Sequence, residues 1–218
     1  MARGAHKVHP NLFRLGVNKN WISRWYTDKH KFADTFLSDD KIREAIEKDL
    51  KTAGVASVII KRSMSKILVD ISVARPGVVI GKGGTAIVKL KEKLTKIAKQ
   101  EVEPKIFEVK SPETVAKLIA ESIAFQCERR VNPKVAAEKA KAAAVESGKI
   151  KGISIWIGGR IKGSEMARRE KVTWGKVPRH TLRADVDYAF TEAQVPGAGK
   201  HGIKVWVNNG EKNKYSLD

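Results

Sequence analysis

Three glycines and a lysine form the sequence GKGG at residues 81–84, inside the stretch ARPGVVIGKGGTAIVKL that begins at Ala74. Glycine has no Cβ atom, so the backbone can approach another molecule closely there. A helical pattern follows, and the free N–H groups at the start of a helix attract phosphate. The spacing therefore predicts a phosphate-binding turn, whose ligand could be a nucleoside triphosphate, a dinucleotide or a nucleic acid.

The binding motifs for the first two of these ligands fit the stretch poorly. A triphosphate-binding loop has four residues between its first glycine and a Gly-Lys-Ser/Thr sequence, whereas only three separate Gly77 from Gly81 and Gly83 occupies the hydroxyl position. The dinucleotide-binding fingerprint G-x-G-x-x-A is matched by Gly81, Gly83 and Ala86. That motif, however, belongs to a fold of alternating parallel strands and helices. Here two strand-like segments precede the turn directly, which disfavours a nicotinamide-dependent enzyme.

The KH motif fits at every fixed position. The sequence VIGKGGTAI matches the pattern V-I-G-x-x-G-x-x-I through Val79, Ile80, Gly81, Gly84 and Ile87. In KH domains this turn clamps the backbone of about four nucleotides. We therefore predict RNA contact at the turn, with Lys82 adding a charge at its tip and with Ile87 and the Val-Val-Ile run buried beneath it.

The composition favours the same class of ligand. Lys and Arg number 43 against 24 acids, a formal net charge of +19, which a polyanion would relieve. An anionic membrane surface would need a basic amphipathic helix with aromatic residues, and no segment shows one well. No apolar run suits a signal peptide or a membrane span, and the single cysteine, Cys127, suggests a reducing compartment.

The order of predicted helices and strands along the chain suggests two α+β domains, and the first of them contains the turn. A helix near 39–52, capped by Ser38, precedes the strand pair VASVIIKR and KILVDISVA; a helix over about 84–99 and the strand KIFEVK follow the turn. The first half so described has the strand order of a type II KH domain.

The second half begins with helices. Ser111 and Pro112 predict the start of a long helix that ends near Arg130, and Asn132 and Pro133 predict a second helix. Four strand-like segments follow, which are GISIWIGGR, EKVTWGKV, DVDYAF and IKVWVN. We therefore expect an α+β fold with two domains, the second having two helices packed on a mainly antiparallel sheet. The predicted boundaries are a basic N-terminal arm over 1–38, a KH domain over 39–110, a C-terminal domain over 111–208 and a short tail over 209–218.

Six segments make the chain resemble the ribosomal protein S3 family of the bacterial small subunit. They are KVHPNLFRLG, ARPGVVIGKGG, ERRV, GRIKGSEMARRE, LRADVDYA and GIKVWV, in that order. The resemblance implies a ribosome-bound, cytoplasmic, non-enzymatic protein of the subunit head. Its implied partners are small-subunit rRNA, neighbouring ribosomal proteins of the head, and mRNA in the channel through which mRNA enters. It implies no cofactor, metal, small-molecule substrate or membrane.

Basic residues in three further regions are expected to join the turn in binding RNA. The full expected set is Gly81, Lys82, Gly83, Gly84, Arg75, Lys7, His9, Arg14, Arg129, Arg130, Lys134, Arg160, Lys162, Arg168 and Arg169. In one respect the chain departs from the family: Val135 and Glu138 stand where relatives carry basic residues that face mRNA.

Catalytic and metal sites find little support. His6 and His9 form an H-x-x-H pair with no nearby cysteine or acid to complete a metal site. Asp185 and Asp187 share a strand face, where ion pairs with arginines are expected rather than acid–base work. A free KH regulator of single-stranded RNA remains the alternative to a ribosomal component.

Overall fold

The structure, a computed structural model, describes residues 8–211, apart from the side chains of Lys82 and Lys162. It divides into two compact units. One consists of residues 21–110, and the other joins residues 8–20 to residues 111–211.

The first unit is a four-stranded sheet with helices. Its strands are β1 (Ser23–Arg24), β2 (Val55–Arg62), β3 (Lys66–Val73) and β4 (Glu101–Glu108), and its helices are α1 (Phe32–Asp49), α2 (Pro76–Ile80) and α3 (Thr85–Ala98). The sheet order is β1-β2-β3-β4. Strands β2 and β3 are antiparallel, whereas β1 pairs with β2 and β4 with β3 in parallel.

Apolar side chains from both layers form the core of this unit. The predicted alternation along β3 is present, because Ile67, Val69, Ile71 and Val73 are all buried. Ile42 and Ile46 of α1 and Leu90 and Leu94 of α3 belong to the same cluster. This packing fixes α3, and with it the glycine turn that precedes α3.

Helix α1 begins at Phe32, seven residues before the predicted start at 39. Aromatic contacts extend it, because the Phe32 and Phe36 rings stack at 6.2 Å and Trp25 lies 5.5 Å from Phe32. The predicted cap, Ser38, lies inside the helix and accepts a hydrogen bond from Arg62 at 3.0 Å. The predicted arm over 1–38 is therefore not one irregular segment.

The second unit has two helices on an antiparallel sheet, which confirms the predicted fold class. The elements are α4 (Ala116–Glu128), α5 (Pro133–Glu146), β5 (Gly152–Gly159), β6 (Arg168–Gly175), β7 (Ala184–Val195) and β8 (Gly199–Glu211). The sheet order is β6-β5-β8-β7. Its core contains Ile123 of α4, Ala137 of α5, and Ile155 and Val205 of the central strands.

The tail predicted from 209 starts inside β8, and residues 212–218 lie outside the described part.

The two helices of this unit begin differently. Asn132 caps α5 as predicted, since its side chain accepts the Lys134 N–H at 3.1 Å. Helix α4 starts at Ala116, after a 3-10 turn over Pro112–Thr114, and Ser111 does not cap it. Instead a carboxylate from β7 accepts the first N–H group, with Ala116 N lying 3.0 Å from Asp187 Oδ2.

Residues 8–20 pack against β7 of the second unit. Asn11 donates to the Tyr188 carbonyl at 3.2 Å, and Asn18 donates to the Leu182 carbonyl at 2.9 Å. Lys19 Nζ lies 3.1 Å from Asp185 Oδ1 and 3.8 Å from Asp187 Oδ1. The expected ion pairing is present, and both carboxylates pair with Lys19. Asp185 also acts electrostatically on the Arg14 guanidinium.

Candidate nucleic-acid interface

The glycine turn links two helices by a backbone path that favours glycine. Gly81 ends α2 with a φ of 70° and a Cβ built there would lie 2.7 Å from Ala86 Cβ. Gly83 and Gly84 also have positive φ, and the space beside them is open. The turn therefore needs glycine at Gly81 for close packing, whereas Gly83 and Gly84 leave room for a ligand.

The start of α3 can hold an anion beside this turn. Gly84 is the residue before the helix and supplies no side-chain cap, and the backbone N–H groups at the start of a helix favour an anion. Arg75 is exposed at the beginning of α2, and its own N–H is held by the Ala53 carbonyl at 3.0 Å. The side chain of Lys82 lies outside the described residues.

The burial predicted around the turn is only partly correct. Val79 is buried and Ile87 is half-buried, but Val78 and Ile80 are 48% and 44% exposed. In this five-residue helix Val79 faces the core while its two neighbours face outward. Val88, which the prediction did not include, is 55% exposed. Sequence reasoning missed these exposed apolar side chains beside the glycine turn.

The residues of the N-terminal arm that were expected to bind RNA differ in their surroundings. Lys7 lies outside the described residues. His9 is exposed, its ring meets the Tyr188 ring edge-on at 4.9 Å, and partial burial lowers its pKa. Both Asn11 and His9 thus tie this segment to Tyr188.

Arg14 does not belong to an RNA interface, contrary to our expectation. It is fully buried, and burial lowers its pKa while Asp185 opposes that shift. Its guanidinium donates at 2.8–3.2 Å to the carbonyl oxygens of Pro10, Pro178, Arg179, Thr181 and Ala184. Arg14 is therefore a structural residue that ties the N-terminal segment to the loop before β7.

The α4–α5 junction presents the three cations that the sequence predicts. Arg129, Arg130 and Lys134 are all exposed. The Arg129 guanidinium lies 4.0 Å from the centre of the Phe125 ring, which holds it by a cation–π contact. Of the two departures from the family pattern, Val135 is 45% exposed and Glu138 forms an ion pair with Lys141.

Arg160 and the following loop form the next basic region. Arg160 is exposed and its Nε donates to the Ser164 carbonyl at 3.1 Å. Arg160 and Arg130 line one cavity, so the structure brings together two residues that are thirty positions apart in the chain. The side chain of Lys162 lies outside the described residues. Arg168 and Arg169 are exposed at the start of β6.

Sequence reasoning identified the basic stretch that contains Arg169, but it missed the gathering of its cations around Trp156. The Trp156 ring has Arg179 at 4.6 Å, Arg169 at 5.4 Å and Lys171 at 5.7 Å from its centre. Arg179 also lies 4.1 Å from the Trp206 ring, and burial lowers its pKa. The pairing of β5 with β6 sets Trp156 opposite Lys171, whereas Arg179 comes from the loop after β6 and no strand pattern could have placed it there.

Other chemistry finds no support in the described residues. Between residues 8 and 211 no group of three His, Cys, Asp or Glu side chains could hold a metal ion. Cys127 is buried, and desolvation followed by the Glu128 charge raises its pKa to about 11, which disfavours the reactive thiolate. No helix of the described part has both the length and the apolar character to cross a membrane.

Comparisons with known proteins agree with this arrangement. A family model described as "Ribosomal protein S3, C-terminal domain" matches residues 123–207, and one described as "KH domain" matches residues 41–114. Small ribosomal subunit protein uS3 of Desulfosudis oleivorans is 48% identical over 207 residues, covering 94% of either chain. The proteins of the same name from Lactobacillus gasseri and Caldanaerobacter subterraneus are each 45% identical, covering 96% and 94% of this chain and 96% and 92% of their own length. The chain belongs to the uS3 family of small ribosomal subunit proteins.

Proposed function

We propose that this chain binds small-subunit rRNA in the head of the small ribosomal subunit. Membership of the uS3 family makes it a structural constituent of that subunit and not an enzyme. It therefore works bound to the ribosome in the cytoplasm. Its partners are the rRNA and neighbouring ribosomal proteins of the head.

The glycine turn is the observation that carries the proposal. Gly83 and Gly84 leave open space at the start of a helix that has no side-chain cap. A phosphodiester backbone fits there because it needs close approach, N–H donors and positive potential. Arg75 adds a charge to the same region, and the net charge of +19 supports wide contact with phosphate.

The test at the turn is a pair of double variants. Lys82→Asp with Gly83→Asp places negative charge where phosphate should lie, and Asp tolerates the positive φ of Gly83 better than most residues do. We expect RNA affinity at moderate salt to fall by roughly tenfold. Lys82→Asn with Gly83→Asn is the matched control, because it has nearly the same shape without the negative charge. Equal affinity of the two folded variants would remove the turn from the interface.

The assembly itself can be tested in native cell extract. At low magnesium the chain should migrate through a density gradient with the separated small subunit and stay with it at moderate salt. Migration at the top of the gradient would contradict the proposal and favour a free KH regulator.

We also propose that the α4–α5 junction lines the channel through which mRNA enters. Three exposed cations, Arg129, Arg130 and Lys134, support this role. The apolar Val135 and the paired Glu138 leave fewer free cations on α5 than relatives have. Reversing the charge of the three cations should slow translation of structured mRNA more than it impairs subunit assembly. An equal loss of assembly and translation would remove the channel from the proposal.

A further inference from the structure

A cavity of about 440 Å³ lies in the second unit, and of its lining residues the proposal above uses only Arg130. It lies where the α4–α5 junction, the 3-10 turn Ile161–Gly163 and the turn between β7 and β8 meet. Its apolar lining includes Cys127, Val131, Val195 and Ala198. Its polar lining consists of Arg130, Asn132, Arg160 and His201. No carboxylate from the described residues lines it, so its chemistry suits an anion.

His201 is the most informative residue of this cavity. It is only 2% exposed, and its Nε2 lies 3.2 Å from the Arg160 carbonyl oxygen. A carbonyl oxygen can only accept, so Nε2 carries the hydrogen, and in a neutral imidazole Nδ1 is then an acceptor. Nδ1 is buried without a hydrogen-bond partner in the described part of the chain. Such atoms are rare in folded proteins, and this one calls for a donor from a ligand.

The main chain of Arg130 and the side chain of Arg160 are each fixed by a hydrogen bond to a backbone carbonyl. Arg130 has a φ of 63° and its N–H donates to the Cys127 carbonyl at 2.9 Å. Helix ends of this kind usually carry glycine, and a side chain kept in the left-handed region often marks a functional site. Arg160 is anchored through Nε to the Ser164 carbonyl. The start of the 14-residue helix α5 adds its positive end at Asn132 and Pro133.

We propose that this cavity binds one ribonucleotide. Its phosphate lies against Arg130 and Arg160, a ribose hydroxyl donates to Nδ1 of His201, and the apolar wall receives the sugar or the base. The volume falls within the range of small-molecule sites. The ribose 2′-hydroxyl is the group that distinguishes RNA from DNA, so the site would make binding RNA-selective. The inference rests on the proposed function, because that function makes an RNA chain the source of the nucleotide. A free nucleotide has the same chemical groups and is the other possible source.

Two substitutions remove these contacts while preserving the backbone. Arg130→Gly deletes the guanidinium and suits the positive φ. His201→Gln retains an amide N–H that can donate to the Arg160 carbonyl, but it lacks the Nδ1 acceptor. Lys99→Gly is the matched control, because Lys99 is an exposed cation with a φ of 55° in the other unit. It removes the same charge from the same backbone conformation.

The first measurement is binding of a short, unstructured, fluorescent RNA and of the DNA of the same sequence to the full chain. Arg130→Gly should weaken RNA binding by roughly tenfold. His201→Gln should bring RNA affinity down to DNA affinity, whereas Lys99→Gly should keep both affinities within about twofold of the wild type. The proposal is overturned for RNA if Arg130→Gly and His201→Gln behave like Lys99→Gly.

The second measurement separates the two sources of the nucleotide. Adenosine monophosphate is titrated into the chain while the imidazole resonances of His201 are followed by NMR. Shifts in the wild type that are lost in Arg130→Gly support a nucleotide site, whether or not RNA binds elsewhere. If the chain binds no RNA at all, the proposed function fails and these shifts still establish the cavity as a site for free nucleotides. If neither RNA nor the monophosphate moves the His201 resonances, the cavity is not a nucleotide site.

Discussion

Arg14 is a cation that the fold uses internally. All three nitrogens of its guanidinium donate to backbone carbonyl oxygens, most of them more than 160 positions away in the chain. The planar guanidinium presents several N–H groups in fixed directions, which the ammonium of lysine cannot imitate. Arg14 therefore stabilises the loop before β7 through geometry as much as through charge.

Arg14→Lys should lower the free energy of unfolding by about 2–4 kcal/mol, because buried carbonyl groups lose their donors. Urea denaturation followed by circular dichroism measures this change. The control is Arg24→Lys, an exposed arginine in the first unit, for which we expect a change below about 0.5 kcal/mol. RNA affinity under folding conditions should hardly change. A loss of RNA affinity without a loss of stability would return Arg14 to the interface.

The start of helix α4 is capped by a side chain from a strand. Its first N–H group donates to the Asp187 carboxylate on β7, and the negative charge also complements the positive end of the helix. The sequence-local candidate, Ser111, instead accepts a hydrogen bond from the Lys149 ammonium. The helix start is therefore fixed by a tertiary contact across 71 positions of the chain.

Asp187→Ala should lower the free energy of unfolding by about 1–2 kcal/mol, whereas Ser111→Ala should change it by less than about 0.5 kcal/mol. The loss of stability in Asp187→Asn should lie between those of Asp187→Ala and Ser111→Ala. An amide oxygen can still accept the Ala116 N–H group, but the charge is lost. The three variants are compared by urea denaturation under the same conditions. A larger effect at Ser111 than at Asp187 would restore the local cap.

The elements that sequence reasoning predicted well are those specified by local patterns. The alternation of β3 and the Asn132-Pro133 start of α5 depend on neighbouring residues alone. The early start of α1 depends on ring contacts with Trp25, and the start of α4 depends on Asp187. The cavity around His201 needs three loops to converge, and no pattern within one segment encodes such a meeting. Local patterns thus predicted the elements and the glycine turn, while the cavity around His201 depended on long-range packing.

At the scale of the whole molecule, the distribution of charge determines how RNA affinity should respond to salt. Some basic residues are already engaged, since Lys93 pairs with Asp49 and Lys61 with Asp70. The exposed cations that we place at RNA are Arg75, Arg129, Arg130, Lys134, Arg160, Arg168 and Arg169. Each phosphate contact to single-stranded RNA contributes about −0.7 to the slope of log affinity against log salt concentration.

Seven such contacts predict a slope near −5, measured with a single-stranded RNA long enough to reach all of them. The double variant Arg168→Gln with Arg169→Gln should reduce the steepness by about 1.4, because two phosphate contacts are lost. A matched removal of two cations outside the interface, Lys48→Gln with Lys51→Gln, should leave the slope nearly unchanged, since counterions are released only where phosphate is contacted. A wild-type slope shallower than about −2 would mean that only a few phosphates are contacted. Such a small footprint suits a regulator that grips one short RNA segment, and it would contradict a protein embedded in rRNA.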